Sequence, residues 1–203
     1  MIMKSIVSDI RKFSSVVIIC TLLGVSPIWS QDKNEREFRI SKSELPKNAF
    51  TLIEPKLEDA KRIRFYQETD GAKRSFEVKF KKGRLHYSVE FDTEGQLEDV
   101  EFIIKPNDIP EDSWNRIVQY LGSNFKKYKV KKIQQQYPSS KQNNKKTIRE
   151  AFQNLILPYI NYELIFSAKN EKGYQHYEAL FNSEGKFVKV RRFALANYDH
   201  VLY

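Results

Sequence analysis

A ten-residue segment at 86–95 returns at 176–185, and this recurrence limits the possible folds more than any other feature of the sequence. His-Tyr opens both segments, Phe is the sixth residue of each, and Glu-Gly closes both. Such self-similarity in a chain of 203 residues predicts two copies of one supersecondary unit.

Each segment has the pattern of a half-buried strand followed by a tight turn. Over residues 84–91 apolar and polar residues alternate, as in a strand with one packed face and one exposed face. Asp92 and Gly95 then suit a type I turn in which Gly supplies a positive φ, and residues 182–185 offer the same chemistry. Further apolar-rich runs flank these segments at 76–80, 97–104, 162–166 and 187–193, so we expect antiparallel meanders.

A helix is predicted before each meander. Pro46 and Pro110 suit the first turn of a helix, where proline loses no intrahelical hydrogen bond, and apolar residues follow both at helical spacing. Pro55 should break or kink the first helix. The predicted fold class is therefore α+β, with two tandem repeats that each combine a helix and a four-stranded antiparallel meander. The helices should cover one face of the sheet and leave the other face open.

The predicted domain organisation follows from these patterns. Thr147 and Glu150 have the spacing of a capping box, which opens a short helix inside an insertion in the second repeat. The apolar residues near the C-terminus should dock on the folded body. The predicted segments are a signal peptide at 1–30, a solvated leader at 31–39, a first repeat at 40–103, a second repeat at 104–194 with an inserted loop and helix at 138–158, and a C-terminal tail at 195–203.

The N-terminal segment has the form of a secretory signal peptide. Lys4, Arg11 and Lys12 precede an apolar run at 13–25, and Ser30 is a workable cleavage point. The alternative is an uncleaved membrane anchor, but the run is shorter than the roughly 20 apolar residues that a spanning helix needs. We therefore expect a periplasmic or secreted protein without stable membrane insertion after cleavage.

The composition excludes several classes of chemistry. Cys20 is the only cysteine, so cleavage would leave a mature chain without disulfides, thiol catalysis or cysteine-ligated metal. Phosphate-binding glycine loops, nucleophile elbows and His-Glu-x-x-His motifs do not occur. We expect a protein that is not an enzyme and has no cofactor.

Three other kinds of binding site have simpler explanations in the sequence. His86 and His176 could form a metal pair, although zinc prefers three or four ligands and both are expected on the exposed face. The acidic turns at 92–94 and 184 could hold calcium, but turn chemistry explains them better. Basic strands near 61–67 and 127–137 could contact nucleic acid, but export argues against that partner and edge lysines are ordinary. We therefore predict neither a metal site nor a nucleic-acid partner.

These features resemble exported proteins with PepSY-like domains of the β-lactamase-inhibitor-like (BLIP-like) fold. The likeness rests on the helix starts at 45–46 and 109–110, the hairpin at 87–95, the following residues 97–101, and the tandem duplication. It covers nearly all of residues 40–194. The resemblance implies a helical layer on one face of an antiparallel sheet, an open and concave opposite face, and no catalytic residues. The insertion in the second copy departs from the family pattern.

The leading functional hypothesis is a non-catalytic envelope protein that binds another protein across the open sheet face, with inhibition as one form of that binding. A merely solvated face, an envelope sensor or binder of a small ligand or metal ion, and an enzyme that gathers histidines with carboxylates are the alternatives. Aromatic and arginine side chains favour protein interfaces. The predicted binding residues are Arg62, Arg64, Tyr66, Lys79, Arg84, His86, Lys132, Gln134, His176 and Glu178.

Overall fold

The computed structural model describes residues 31–139 and 143–193. The predicted signal peptide and C-terminal tail lie outside these ranges. None of the helices within them has the length and apolar character needed to cross a membrane.

The described residues form ten strands and three α-helices, with short 3-10 turns at Lys42–Glu44 and Pro106–Asp108 before the first two helices. The helices are α1 (Lys47–Leu57), α2 (Glu111–Asn124) and α3 (Asn144–Phe152). The strands are β1 (Gln31–Lys33), β2 (Glu35–Ile40), β3 (Lys61–Asp70), β4 (Lys73–Lys82), β5 (Leu85–Asp92), β6 (Leu97–Ile104), β7 (Lys126–Pro138), β8 (Asn161–Asn170), β9 (Gly173–Asn182) and β10 (Phe187–Phe193).

All ten strands belong to one sheet that curls until its edges meet. The order is β1-β10-β9-β8-β7-β6-β5-β4-β3-β2, and every neighbouring pair is antiparallel except β1 and β10. The edge strands β1 and β2 are separated along the chain by Asn34 alone, so their ends lie within about 7 Å of each other. An ion pair of 2.8 Å between Arg191 of β10 and Asp70 of β3 also joins the two strands that lie next to the edges.

The three helices cover one face of this sheet. Ile53 of α1, Ile117 and Leu121 of α2 and Ile148 of α3 are all buried in one apolar cluster. The sheet contributes the apolar residues of its alternating pattern to the same cluster, including Val89, Phe91, Val100, Phe102, Leu164 and Phe166. Burial of one such side chain stabilises the fold by about 1.5–3 kcal/mol. The helix-covered face is therefore the hydrophobic core.

The two ten-residue segments form the predicted strand and turn. β5 and β9 each end in a turn closed by a backbone hydrogen bond, from Gly95 to Asp92 at 2.9 Å and from Gly185 to Asn182 at 2.8 Å. Both glycines have positive φ, 74° and 75° respectively, as expected. The second turn also contacts α2, where the Ser113 hydroxyl donates to the Ser183 carbonyl at 2.8 Å. The prediction for these turns is confirmed.

The predicted fold class of two tandem repeats with an open sheet face is wrong. Ile104 of β6 pairs with Ile133 of β7, so the sheet continues across the expected boundary at 104. Residues 31–39, expected to be a solvated leader, supply β1 and most of β2. Nine antiparallel strands plus β1 thus make a single sheet, and its curl covers the face that was expected to be open.

The helix boundaries differ from the sequence prediction in two places. α1 and α2 begin after Pro46 and Pro110, as expected, but α1 continues through Pro55 to its end at Leu57. α3 begins before the predicted capping box, because the Asn143 side chain accepts a 3.0 Å hydrogen bond from the Lys146 amide and caps the helix four residues before Thr147.

Candidate functional site: a charged cavity

The curled sheet encloses a cavity of about 410 Å³ on the face away from the helices. Its walls follow from strand alternation, since successive side chains point to opposite faces. On β5, Val89 and Phe91 are buried in the core, whereas Ser88 and Glu90 line the cavity. The same alternation on the other strands gives the cavity a mostly charged and polar wall.

The cavity gathers many of the predicted binding residues. Tyr66 and Glu178 are almost fully buried, at 5% and 2% exposure, and lie on the same face of the sheet. Arg84 is exposed in the turn between β4 and β5, and His176 lies on β9 without lining the cavity. The role of all the predicted residues in binding stays a prediction. The predicted residues that line the cavity are Arg62, Arg64, Lys79, His86, Lys132 and Gln134.

A buried ion-pair network holds the curled sheet closed. The Arg191 guanidinium donates to one Glu178 oxygen at 2.7 and 3.1 Å, and the Lys33 ammonium donates to the other at 2.6 Å. Arg191 also reaches Asp70 on β3. Burial alone would raise the pKa of Glu178, but Lys33 and Arg191 outweigh it and lower the pKa to about 2. The Glu178 carboxylate of the folded protein is therefore charged near neutral pH.

A row of three carboxyl groups crosses the cavity wall. Glu77, Glu90 and Asp99 lie directly opposite one another on β4, β5 and β6, an arrangement that is destabilising when all three are charged. Burial raises the pKa of Glu90 to about 7 although Lys73 opposes the shift, and burial and Glu90 raise the pKa of Asp99. Burial also acts on Glu77, but Lys79 and hydrogen bonds lower its pKa to about 2. Near neutral pH this acid row, made of Glu77, Glu90 and Asp99, therefore contains protonated as well as charged carboxyl groups.

Glutamine side chains connect the acid row to the neighbouring strands. The Gln136 amide donates to Glu101 at 2.9 Å and to Asp99 at 3.1 Å, and the Gln134 amide also donates to Glu101. The sequence reasoning did not identify Glu77, Glu90 or Asp99, although all three occupy the polar positions of alternating strands.

The opposite end of the same wall is basic. Lys81 of β4 and His86 of β5 are directly opposite each other, and Arg62 of β3 also lines this end of the cavity. Burial lowers the pKa of His86, and the nearby Lys81 and Arg62 charges lower it further. The cavity wall is therefore polarised, with cations at one end of β5 and carboxyl groups towards the other.

One cluster of acidic side chains lies close enough together to be a candidate cation site. Glu35, Glu37 and Glu68 each offer a carboxylate oxygen, and these oxygens lie within 4.8 Å of one another. Lysines already neutralise part of this group, since Lys33 pairs with Glu35 and Lys79 lies 2.6 Å from Glu37. The cluster therefore has internal counter-ions.

The turn carboxylate that was considered for calcium has a structural role. Asp92 accepts hydrogen bonds from the backbone amides of Glu94 and Gln96 at 2.9 and 2.8 Å. Asn182 does the same in the second turn, for the amides of Glu184 and Lys186 at 3.1 and 2.9 Å. The equivalent use of a neutral amide supports the turn explanation.

Comparisons with known proteins identify the fold. No family model and no curated protein matches the chain. A DUF2874 family protein from Bacteroides ovatus aligns with a TM-score of 0.51 and 13% identity, over 78% of this chain and 97% of its own. A DUF2874 family protein from Bacteroides uniformis aligns with a TM-score of 0.50 and 11% identity, over 72% and 88%. A BLIP-like protein from Bacteroides fragilis aligns with a TM-score of 0.46 and 12% identity, over 78% of this chain and 92% of its own.

These alignments show that the chain has the fold seen in the two DUF2874 proteins. At identities this low the likeness concerns the fold alone, and function has to be argued from the site. The PepSY-like resemblance stays a prediction.

Proposed function

We propose that this chain is an exported, non-catalytic protein that binds a small polar ligand in the charged cavity. The observation that carries the proposal is the cavity itself, whose volume of about 410 Å³ is in the range of small-molecule sites. Burying charged groups is costly, and well-packed apolar residues in their place are often neutral or stabilising. A ligand-binding role accounts for a charged wall that folding alone does not require.

Two features support an exported and non-catalytic role. Residues 1–30 have the pattern of a signal peptide, and this pattern supports a periplasmic or secreted mature protein. Among the residues that the structure describes, His86 lies beside Lys81 and Arg62 and pairs with no carboxylate, so it has no orienting partner of the kind that a general base uses. The proposed protein therefore holds its ligand without transforming it.

Binding of an envelope protein is the second candidate. The curl of the sheet removes the open face on which this hypothesis first depended, so a partner would have to use an outer surface. Leu155, Ile156 and Tyr159, between α3 and β8, are 37%, 55% and 41% exposed. Exposed apolar side chains so close in sequence favour a contact there. Loss of a captured partner in Ile156→Ser, but not in Val118→Ser on α2, would favour this candidate.

Ligand binding can be tested by thermal stabilisation. Mature protein is melted with amino acids, short peptides, sugars, organic acids and phosphorylated metabolites, because a ligand that binds only the folded state raises the melting temperature with concentration. We expect one of these classes to do so. Ser88→Phe, which places a ring in the cavity, should abolish the stabilisation, and Ser123→Phe on the exposed face of α2 should keep it.

Two outcomes would contradict the proposal. Either no class stabilises the protein, or stabilisation persists in Ser88→Phe. If Ser88→Phe does not fold, Gln136→Met is the second test, because it removes a polar side chain from the cavity wall with little change in volume and should weaken the stabilisation by a polar ligand.

A further inference from the structure

We infer that the basic end of the cavity is an anion subsite, in which Arg62, Lys81 and His86 bind the carboxylate or phosphate of a small ligand. This inference rests on the proposed function, because it names the chemical class of the ligand that the cavity takes. It adds the position of the ligand's charged group and the three side chains that recognise it.

The first argument is the contrast between paired and unpaired cations. Lys33, Lys73, Lys79 and Arg191 line the cavity, and each forms an ion pair with a carboxylate at 3.3 Å or less. Among residues 31–139 and 143–193, Arg62 and Lys81 form no ion pair, and His86 forms no hydrogen bond. Within the described part of the chain, Arg62, Lys81 and His86 therefore have no carboxylate counter-ion.

The backbone of β3 brings Arg62 to this end. The pairing register of β3 with β4 shifts between Lys61 and Arg64, and Arg62 has a φ of 57°, which is uncommon for a residue with a side chain. β-Bulges of this kind redirect side chains, and strained backbone is concentrated at binding sites. Arg62 and Arg64 both line the cavity, and Arg62 lies within the shifted segment of β3.

Access and mutual placement also suit an anion. Arg62 is exposed, so this end of the cavity is in contact with solvent. Lys81 and His86 are cross-strand neighbours, which brings their β-carbons to about 5 Å from each other. An oxyanion between them can accept hydrogen bonds from the ammonium and the imidazole, while the Arg62 guanidinium can supply a bidentate contact. Lys189 also forms no ion pair among the described residues, but it is exposed on β10, away from the pair of Lys81 and His86 on β4 and β5.

The acid row limits the ligand to a single anionic region. His86 and Glu90 both face the cavity and are four residues apart on β5, which is about 13 Å. A second negative group placed that far into the cavity would meet Glu77, Glu90 and Asp99. Polyanions such as nucleic acids are therefore disfavoured, and a small ligand with one carboxylate or phosphate group fits both ends.

The subsite is tested on the wild-type mature protein by nuclear magnetic resonance of its histidine side chains. Sodium acetate and inorganic phosphate are titrated separately at constant ionic strength, and His86→Gln assigns the resonance. We expect saturable shifts for His86 and an upward movement of its pKa, because a bound anion favours the charged imidazole. His176, at the corresponding position of the second ten-residue segment and outside the cavity lining, is the internal control and should not respond.

Three variants complete the experiment. Arg62→Gln and Lys81→Gln should each weaken anion binding about tenfold, the loss expected for one charge-assisted hydrogen bond. Lys129→Gln removes the same charge from an exposed position of β7 and should leave binding unchanged. The tighter of the two probes identifies the headgroup as carboxylate-like or phosphate-like.

The outcomes separate this inference from the proposed function. Equal responses of His86 and His176, or no response of His86, would overturn the subsite, whether or not a cavity ligand stabilises the protein. If His86 responds and the variants weaken binding while no small molecule stabilises the protein, the subsite stands and the proposed function fails. The wild-type titration decides the matter even if a variant does not fold.

Discussion

The two faces of the sheet are built from the same strands but by opposite chemistry. On β5, Tyr87 stacks on Phe152 of α3 with ring centroids 4.6 Å apart, while the adjacent His86 lines the charged cavity. The helix-covered face buries apolar surface, which stabilises the fold. The cavity face buries charge, which is stable only where partners neutralise it. The difference indicates that the helix-covered face stabilises the fold through apolar burial, whereas the cavity face depends on ion pairs and is the face on which we propose that a ligand binds.

The largest effect should come from the helix-covered face. Phe166 is fully buried and packs its ring 4.8 Å from that of Phe125 and 5.4 Å from that of Tyr177. Phe166→Ala should lower the free energy of unfolding by about 3–5 kcal/mol, because it removes apolar contacts and leaves a void. Urea denaturation followed by circular dichroism measures the change.

The next residue on the same strand provides the control. Ser167 is 7% exposed but points to the other face. Ser167→Ala should change the free energy of unfolding by about 1 kcal/mol or less, since it removes one hydroxyl and creates little void. Equal losses in the two variants would mean that the faces do not differ in their contribution to stability.

The second effect concerns the turns that attach the sheet to the helices. A β-carbon at Gly185 would lie 2.8 and 2.9 Å from the backbone carbonyl carbon and Cα of Ser113, whereas one at Gly95 would meet the side chains of Asn48 and Pro46. Both glycines need positive φ. Gly185→Ala should therefore cost about 1–2 kcal/mol and Gly95→Ala somewhat less, because a side chain can move and α2 cannot.

Thermal melts of the two glycine variants measure this difference. Gly71 is the control, because it also has positive φ but a β-carbon there would meet nothing within 4 Å. Gly71→Ala therefore isolates the cost of the backbone conformation from the cost of the clash. A Gly185→Ala melt equal to that of Gly71→Ala would show that the turn does not pack on α2 as described.

Local patterns in the sequence predicted much of the helix-covered face. Alternation located the strands, and the Asp92–Gly95 and Asn182–Gly185 spacings predicted turns that the structure confirms. These features depend on residues close in sequence. The sequence therefore defined well which side of each strand packs against helices.

The closure of the sheet could not be predicted in the same way. It depends on pairing of β1 with β10 and on the ion pair between Arg191 and Asp70, which are 121 residues apart. Alternation assigns Arg62 and His86 to the polar face but cannot say whether that face is open or curled over a cavity. The acid row was missed for the same reason, since Glu77, Glu90 and Asp99 meet only through strand register.

The third prediction tests the charged face through pH. Burial raises the pKa of Glu90 and Glu163 from 4.5 to about 7, so between these values the folded protein keeps protons that the unfolded chain has released. Stability should therefore fall as pH rises from about 5 to 8, by roughly several kcal/mol for the two groups together. Glu178, whose pKa is lowered to about 2, acts in the opposite sense and loses its stabilisation below pH 4.5.

Melting temperatures measured across this pH range give the test. Glu90→Gln keeps the shape of the protonated side chain, so it should flatten the decline between pH 5 and 8. Glu171→Gln, in the exposed turn between β8 and β9, should leave the decline unchanged. A wild-type protein that becomes more stable from pH 5 to 8 would show that the buried carboxyl groups of the cavity are charged and satisfied.

The smallest expected effect comes from His86 on the cavity face, compared with the adjacent Tyr87 on the helix-covered face. His86 forms no hydrogen bond among the described residues, and its neighbours Arg62 and Lys81 repel its charged form. His86→Ala should therefore change the free energy of unfolding by no more than about 0.5 kcal/mol, the usual range for a surface substitution. Tyr87→Ala, one residue away on the helix-covered face, should cost several times more because its ring stacks on Phe80 and Phe152. If thermal melts found the two variants equally unstable, His86 would be a structural partner of the wall, and the assignment of this face to binding would have to be abandoned.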